Sequence, residues 1–281
     1  MDHWAKAQGW PDRSKWLSYE DLWASNLYVL NSSCSPTYGV DNSPNELQAI
    51  KESLPEAAEY AGVPPSLFLV MMMQESDGCV RVGTTTNGVS NPGIMQSNNG
   101  KGNCIQKTPC PADQIQQMLM DGAGKDREFG LRQALDLYNN VPEPEKYYRA
   151  ARAYNAGPYG VIQTHLEQGG ATRCYASDIA NRLLGWTRRA DKVCPFDLLS
   201  TTPQSPPTIG SSTMPCPASS LGHAPNTLTN CTQSHLVTAG DTCNKLAELY
   251  NTTFGGLRAL NPSLNSECTK LWLGYRYCIS R

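Results

Sequence analysis

The chain of 281 residues has no long apolar run, and the longest one is Leu67–Met73. A helix that crosses a bilayer needs about 20 consecutive apolar residues, so the sequence predicts no membrane span and no membrane partner. The chain also lacks a basic block, because its 23 Lys and Arg residues are scattered and are balanced by 25 Asp and Glu residues. Nucleic-acid binding requires clustered positive charge, so we expect no nucleic-acid partner.

Metal-ligand spacing is missing as well. No C-x-x-C pair occurs, and the four histidines are scattered at His3, His165, His223 and His235. Zinc sites need several such ligands at short, regular spacings, so we expect no metal and no cofactor.

The opening residues MDHWAKAQGW contain none of the regions of a signal peptide. We expect that a signal peptide has been removed from this sequence.

Cysteine, in contrast, is abundant, with 11 residues. A reduced intracellular protein seldom carries so many thiols. Three N-x-S/T acceptor sequences accompany the cysteines, at Asn31, Asn230 and Asn251. Together these features favour the secretory route, and we expect a secreted, extracellular, disulfide-bonded glycoprotein.

A stretch rich in proline, serine and threonine divides the chain at residues 199–230. It is nearly free of charge and has no apolar periodicity, which is typical of an extended linker. We therefore predict one domain at residues 1–198 and a second at residues 231–281. Six cysteines precede the linker, four follow it and Cys216 lies within it. Three and two disulfides are expected on the two sides, with the pairing left open.

Helical signals dominate the first domain. Ser43-Pro44-Asn45-Glu46 has the pattern of a capped helix start, and Pro64 and Pro65 suit the first turn of the next helix. Further helix-compatible patterns lie at residues 114–120, 128–139, 145–155 and 177–190, and residues 76–102 are predicted to be irregular or a small hairpin. The second domain is predicted to contain a strand at 235–238, helices at 243–250 and 253–260, and a strand at 274–279. The predicted fold class is α+β, with a predominantly helical first domain and a small βααβ second domain.

Glu75 is the first candidate for catalysis, because it ends the very apolar helical segment LFLVMMMQE. On helical spacing it lies over Met71 and Met72. A carboxyl group that loses hydration in such a place has a raised pKa. A proton held near neutral pH is what a general acid needs to protonate a departing glycosidic oxygen. The alternative is that Glu75 simply leaves the core at the helix end and is solvated.

Four short motifs follow one another in the first domain: Glu75-Ser76, Gly93-Ile94-Met95-Gln96, Ala153-Tyr154-Asn155-Ala156-Gly157 and Tyr175-Ala-Ser-Asp. In this order, over roughly residues 45–189, they resemble the signature segments of the lytic transglycosylases and goose-type lysozymes. Those lysozyme-like enzymes cleave the MurNAc–GlcNAc β-1,4 bond of bacterial peptidoglycan. The resemblance implies a lysozyme-like fold with Glu75 as the general acid and base.

The resemblance also implies a set of substrate-binding residues: Gly93, Met95, Gln96, Tyr154, Asn155 and Tyr175. The first three match the floor of the cleft beside the sugar. The next two match a pair that supports the glutamate and contacts the substrate, and the last matches a tyrosine at the cleft. Helix packing is the alternative role for the tyrosines, and a simple turn is the alternative for the glycine.

This chain departs from the goose-type pattern at two positions, where those enzymes carry aspartates that help to place water. Here the positions hold Asn87 and Asn98, which we include as substrate-binding candidates. Most glycosidases need a second carboxylate, and only Asp77 is close to Glu75 in sequence. We predict single-carboxylate chemistry, in which the 2-acetamido oxygen or the 6-hydroxyl of the sugar attacks the anomeric carbon. The second route gives a 1,6-anhydro product.

The second domain closely resembles a LysM domain of the cysteine-bearing fungal type, through Val237-Thr-Ala-Gly-Asp-Thr-Cys243, Leu260-Asn-Pro-Ser-Leu264 and Leu271-Trp-Leu-Gly274. LysM domains bind runs of N-acetylglucosamine in chitin or peptidoglycan. The resemblance places the sugar-binding groove between two loops, at Gly240, Asp241, Thr242, Asn261, Pro262, Ser263 and Leu264. Asp241 and Thr242 are also expected to cap the helix that follows.

Three functions remain open at this stage. The first is a secreted, antimicrobial fungal muramidase or transglycosylase that acts on peptidoglycan and is held at the wall by its LysM domain. The second is an enzyme on the same scaffold that cleaves chitin. The third is a chitin- or peptidoglycan-binding protein whose lysozyme-like domain is inactive. We expect a monomer in each case.

Overall fold

The computed structural model describes residues 10–86, 88–161, 166, 171–187, 224, 227–228, 230–237, 241–266, 268, 270–271 and 275–281. Residues Trp16–Thr187 form one compact unit, and the C-terminal residues belong to a second. Most of the predicted linker lies outside the described residues, as do Asn87 and Gly240. Among the helices that are described, none has the length and apolarity to cross a bilayer.

The unit of residues Trp16–Thr187 is built mainly from helices. They are α1 (Tyr19–Leu30), α2 (Pro44–Ala61), α3 (Pro65–Ser76), α4 (Ala112–Ala123), α5 (Leu131–Asp136), α6 (Glu145–Ala156) and α7 (Tyr175–Leu183). A small antiparallel hairpin, β1 (Thr85–Thr86) and β2 (Ser90–Asn91), lies between α3 and α4. Both the helical character and the hairpin in residues 76–102 confirm the prediction.

The start of α2 shows why the sequence forms this helix. The Ser43 hydroxyl accepts a hydrogen bond from the Glu46 N–H, and the Glu46 carboxylate accepts one from the Ser43 N–H. This reciprocal pairing satisfies two N–H groups that a helix start otherwise leaves unbonded. The helix ends where Gly62 adopts a left-handed conformation, with φ of 75°.

Helix α3 forms the centre of the unit, because every residue from Ser66 to Gln74 is buried. It packs against α1, α2 and α7, so it has no solvent-facing side until its last turn. An all-round apolar helix of this kind is stable only inside a core. The predicted burial of the segment before Glu75 is confirmed.

One helix was not predicted, and two others differ from their predicted bounds. Helix α1 was not predicted, although Ser18 caps it by accepting a hydrogen bond from the Asp21 N–H. Helix α5 is confined to Leu131–Asp136, because extended Gly130 precedes it. Helix α7 begins at Tyr175 and ends at Leu183, before Gly185, whose φ of 99° stops the helix.

Disulfides fix the segments that flank the core helices. Cys34 is bonded to Cys79 and Cys104 to Cys110, and Cys174 is disulfide-bonded as well. The first of these bonds joins the chain after α1 to the chain after α3. An oxidised state of the cysteines agrees with the predicted disulfide-rich protein.

The C-terminal module has the predicted βααβ order. Its elements are β3 (Gln233–Leu236), α8 (Cys243–Leu249), α9 (Phe254–Leu260) and β4 (Arg276–Ser280), with β3 and β4 paired antiparallel. Disulfides Cys231–Cys278 and Cys243–Cys268 cross-link the module. So small a module depends on such cross-links, because its core is limited.

Candidate functional site

Glu75 lies half-buried in the last turn of α3. Its Oε1 accepts a hydrogen bond from the Tyr175 hydroxyl at 2.6 Å. Tyr175 is the first residue of α7 and is 2% exposed. The packing of α7 on α3 therefore brings the first and fourth motifs together.

The second motif is attached to this pair through two of its backbone carbonyls. The Ser76 hydroxyl donates to the carbonyl oxygen of Ile94 at 2.7 Å, and the Tyr154 hydroxyl, from α6, donates to that of Met95 at 2.6 Å. Side-chain hydrogen bonds thus join all four motifs at one place. The sequence gives their order but not these bonds.

The negative charge of Glu75 raises the pKa of both Tyr154 and Tyr175, after burial as the larger cause. Burial raises the pKa of Tyr175 well above its ordinary value, and the charge of Glu75 and the hydrogen bond to it raise that pKa further. Burial also raises the pKa of Tyr154, and the charge of Glu75 is the next cause. Both hydroxyls therefore stay protonated at physiological pH and remain hydrogen-bond donors.

Gln96 connects the second motif to the hairpin. Its Oε1 accepts from the Thr85 hydroxyl at 2.7 Å, and its Nε2 donates to the carbonyls of Gly83 and Gly93 at 3.1 and 3.0 Å. The φ of Gln96 is 45°, in the left-handed region. Such a conformation costs a non-glycine residue about 1–3 kcal/mol and is concentrated at functional sites. Gln96 is half-buried.

Gly93 and Met95, the other two residues predicted at the cleft floor, lie in tightly packed surroundings. A Cβ on Gly93, where φ is 76°, would lie 2.7 Å from the side chain of Met118. Met95 is fully buried, and a Cβ on Gly122 would lie 2.5 Å from it. Both positions are therefore packed into the core against α4. What Met95 contributes to the site is its backbone carbonyl.

The asparagine candidates occupy separate places. The Oδ1 of Asn155 accepts from Arg152 Nη1 at 2.7 Å and from the Thr172 N–H at 3.1 Å. It thereby ties the end of α6 to the segment before α7. Asn98 is half-buried in the turn after the second motif, and Asn87 lies outside the described residues.

Two acidic residues that flank Glu75 in the structure have other partners. Asp77, which follows α3, lies 3.7 Å from Nη2 of the buried Arg182. Asp178 Oδ2 accepts from Gln74 Nε2 at 3.1 Å, and Gln74 Oε1 accepts from Arg182 Nε at 2.8 Å. Residues of α7 thus contact both neighbours of Glu75 at the end of α3, Gln74 before it and Asp77 two positions after it. These contacts fix the geometry of the Glu75–Tyr175 pair.

Asp121 is a buried carboxylate that the sequence analysis missed. It is 1% exposed, and its Oδ2 accepts from the N–H groups of Lys101 and Gly102 at 2.6 and 2.8 Å. Its charge also raises the pKa of Tyr154. Asp121 therefore anchors the loop after the second motif next to the site. The only signal in the sequence is that this acidic residue directly follows the apolar run Met118–Met120.

The predicted sugar-binding residues of the C-terminal module lie in two loops, directly before α8 and directly after α9. Thr242 is exposed and caps α8 by accepting from the Lys245 N–H at 3.2 Å, which confirms the predicted cap. Asp241 precedes it and is partly exposed. Pro262 is exposed and Ser263 half-buried after α9. Gly240 lies outside the described residues.

Asn261 and Leu264, two further predicted sugar-binding residues, have buried side chains. Asn261 is 0% exposed, its Nδ2 donates to the carbonyls of Leu257 and Cys278 at 2.9 and 2.7 Å, and its Oδ1 accepts from the Cys278 N–H at 2.8 Å. It therefore joins α9 to β4, and its amide is already fully used. Leu264 is 2% exposed and packs within the module.

No group of three or more His, Cys, Asp and Glu side chains converges as a metal site within the ranges that the structure covers.

Comparison with known families places one part of the chain. Residues 235–274 match the family model of the LysM domain, so the C-terminal module is a LysM domain. This match accounts for the βααβ order and for the two loops described above. No solved structure matches the chain significantly, and the lysozyme-like fold of the helical unit stays a prediction.

Curated relatives each match a short part of the chain. Secreted LysM effector LysM1 of Trichophyton rubrum is 35% identical over 66 residues, 24% of this chain and 26% of that protein. Secreted LysM effector Blys8 of Beauveria bassiana is 42% identical over 52 residues, 18% of this chain and 13% of that protein. A probable peptidoglycan-N-acetylglucosamine deacetylase of Arthroderma benhamiae is 36% identical over 55 residues, 20% of this chain and 13% of that protein. The chain thus spans about a quarter or less of the length of these relatives.

Proposed function

We propose that the chain binds polymers of N-acetylglucosamine through its LysM domain. The observation that carries this proposal is the LysM match over residues 235–274. The accessible groups at Asp241, Thr242 and Pro262 are of the kind that bind sugars, since they offer hydrogen-bond acceptors and an apolar ring. The named relatives are secreted effectors and a peptidoglycan-N-acetylglucosamine deacetylase, which supports a cell-wall polysaccharide as the partner.

Removal of residues 231–281 tests the role of this domain. The shortened protein should lose most of its binding to insoluble chitin and peptidoglycan in a sedimentation assay, because tethering raises the local concentration at an insoluble polymer. Its activity on short soluble oligomers should be unchanged. Cellulose serves as the control polymer. Equal loss of both properties would contradict the tethering role.

We further propose that the helical unit cleaves the β-1,4 bond of peptidoglycan with Glu75 as the only general acid and base. The observation that favours this second function is the convergence of the four motifs, with Tyr175 bonded to Glu75 and Tyr154 beside both. Catalysis of this type requires a carboxyl group held in one orientation. The Tyr175 hydroxyl and the contacts of α7 on α3 supply that support.

The described carboxylates around Glu75 favour the single-carboxylate route. Asp77 faces a buried arginine, Asp178 accepts from Gln74, and Asp121 is bonded to backbone N–H groups. With these groups engaged elsewhere, the nucleophile comes from the substrate: the 2-acetamido oxygen or the 6-hydroxyl attacks the anomeric carbon. Glu75 gives its proton to the leaving oxygen. It then takes one back, either from the attacking hydroxyl or from the water that opens the intermediate.

Product analysis separates the remaining functions. Purified peptidoglycan and chitin oligomers are incubated with the full chain, and the products are weighed by mass spectrometry. New reducing ends indicate hydrolysis, and a mass lower by one water indicates the anhydro product. Cleavage of chitin alone would favour the chitinase alternative, and the absence of products would leave a binding protein.

Replacing Tyr175 with phenylalanine (Y175F) tests the support of Glu75. Loss of the hydroxyl removes the hydrogen bond that orients the carboxyl group, so kcat should fall about tenfold to a hundredfold while KM changes little. Tyr19→Phe is the matched control, because its hydroxyl donates to the Lys51 carbonyl away from the site. A rise in KM with unchanged kcat would indicate that Tyr175 only binds sugar.

We also propose that the protein is secreted and acts as a monomer. Oxidised cysteine pairs in both units support an extracellular location, and several relatives are named secreted effectors, although others are named non-secreted. Mass spectrometry of culture medium and sedimentation velocity of the purified chain test these two points.

A further inference from the structure

His235 occupies a central place in the LysM domain that the sequence analysis did not assign. It lies on β3, opposite Tyr277 of β4. Its Nε2 is 2.7 Å from Asp241 Oδ2, and its Nδ1 is 2.8 Å from the hydroxyl oxygen of Tyr250, which follows α8. The rings of His235 and Tyr250 also meet edge to face, with centroids 5.5 Å apart. Strand, loop and helix end are thus joined through one imidazole.

The partners define which ring nitrogen carries the hydrogen. An ionised carboxylate only accepts hydrogen bonds, so Nε2 must donate to Asp241. In the neutral ring Nδ1 is then an acceptor, and the Tyr250 hydroxyl donates to it. The three groups form a directed chain in which the carboxylate of Asp241 selects the tautomer of His235 and the Tyr250 hydroxyl holds the ring at its other nitrogen. His235 in turn fixes the carboxylate of Asp241.

Asp241 also lies next to a capped helix start. It directly precedes Thr242, whose hydroxyl caps α8 through the Lys245 N–H. The side chains of His235 and Asp241 are 17% and 19% exposed, so their contact is only partly screened by water. The carboxylate therefore has a fixed place at the edge of the loop before α8.

We propose that His235 is a positioning residue for carbohydrate binding, which holds Asp241 ready to accept hydrogen bonds from N-acetylglucosamine units. The inference rests on the proposed sugar binding by the LysM domain. A carboxylate that is fixed before the ligand arrives loses less conformational entropy on binding. His235 itself need not touch the sugar, because it acts through Asp241 from the β3 side.

The test uses the full chain and the soluble hexamer of N-acetylglucosamine, with affinity measured by calorimetry. His235→Phe keeps a ring against Tyr250 but removes both hydrogen bonds, and it should weaken binding about tenfold or more. Tyr250→Phe removes only the hydrogen bond that holds the ring at Nδ1 and should weaken binding severalfold. Tyr28→Phe, in the helical unit, is the matched control and should bind as the wild type does.

A double-mutant cycle distinguishes positioning from general stability. If His235 acts through Asp241, the double variant H235F/D241A should bind no more weakly than D241A alone, because the contact is lost once. Nitrogen-15 NMR of the wild type should show the His235 ring protonated at Nε2, and this signature should become mixed in D241A, which lacks the carboxylate that selects the tautomer.

The outcomes separate this inference from the function on which it rests. A wild-type chain that does not bind the hexamer overturns the proposed sugar binding. If the wild type binds and H235F binds equally well, or if the losses of H235F and D241A add fully, the positioning role of His235 is wrong while sugar binding stands.

Discussion

Replacement of Glu75 by glutamine (E75Q) is expected to lower turnover of soluble peptidoglycan fragments about a thousandfold. Glutamine keeps the size of the side chain and can still accept the hydrogen bond from the Tyr175 hydroxyl, which the structure places 2.6 Å from Oε1. What it cannot do is give a proton to the departing glycosidic oxygen. The fold and the affinity for insoluble wall should therefore stay unchanged, because the LysM domain is untouched.

Glu59→Gln provides the matched control, since Glu59 is exposed on α2. Initial rates on soluble fragments, wall sedimentation and thermal unfolding are measured on the three proteins in parallel. Substantial residual turnover in E75Q would refute the catalytic assignment of Glu75. Equal loss in both variants would point to an indirect effect of charge.

The largest expected effect on stability concerns Arg81 and Glu46. These side chains form a buried ion pair and are only 3% and 2% exposed. Arg81→Met (R81M) would leave the carboxylate of Glu46 buried without its cation. Because removal of one partner from a buried pair is costly, the free energy of unfolding should fall by about 3–5 kcal/mol. Urea unfolding followed by circular dichroism measures this change.

Two further variants test the cause of that loss. In E46Q/R81M the side chain is neutral, so the uncompensated charge is gone. The N–H groups of Ser43 and Cys110 bond different oxygens of Glu46 in the wild type, and the single amide oxygen of glutamine can accept from only one of them, so part of the stability should return. Arg132→Met removes an exposed arginine and should change stability little. If the double variant is less stable than R81M, the uncompensated charge is not the cause.

The same pair gives the unfolding free energy a defined pH dependence. Burial by itself would raise the pKa of Glu46, but the N–H groups of Ser43 and Cys110 and the guanidinium of Arg81 outweigh it and lower the pKa below its ordinary value. The unfolded chain therefore binds this proton more readily than the folded one. The stabilisation is complete above the ordinary glutamate pKa and is lost as the pH falls through the lowered value.

Much of the fold could be predicted because its signals are local. The capped start at Ser43 and Glu46, the apolar run of α3 and the turn-rich stretch up to Gly102 depend on residues a few positions apart. Helix α1 was missed because its signal, a single capping serine, is weak without the tertiary contacts of Leu22 and Trp23 in the core. The early end of α7 depends on the backbone conformation of Gly185, which residue type alone does not determine.

Most residues of the candidate site could be predicted from the sequence, but the contacts that each of them makes could not. Motif order identified Glu75, Tyr154 and Tyr175, which the structure does bring together. Spacing cannot show that the side chain of Met95 points into the core, or that Asn261 is used entirely within its module. Asp121 escaped notice for the same reason, because its partners are backbone N–H groups some 20 residues away.

The acceptors of Ser76 and Tyr154 are main-chain carbonyls, which every amino acid carries at positions 94 and 95. The side chains of Ile94 and Met95 can therefore be exchanged in evolution for others of similar bulk, and the hydrogen bonds that connect the residues around Glu75 are kept. Substitution of the hydroxyl donors has no such freedom. Distant homologues should thus be sought by the serine and the two tyrosines, and variation within the short segment after Gly93 should be tolerated in their alignments.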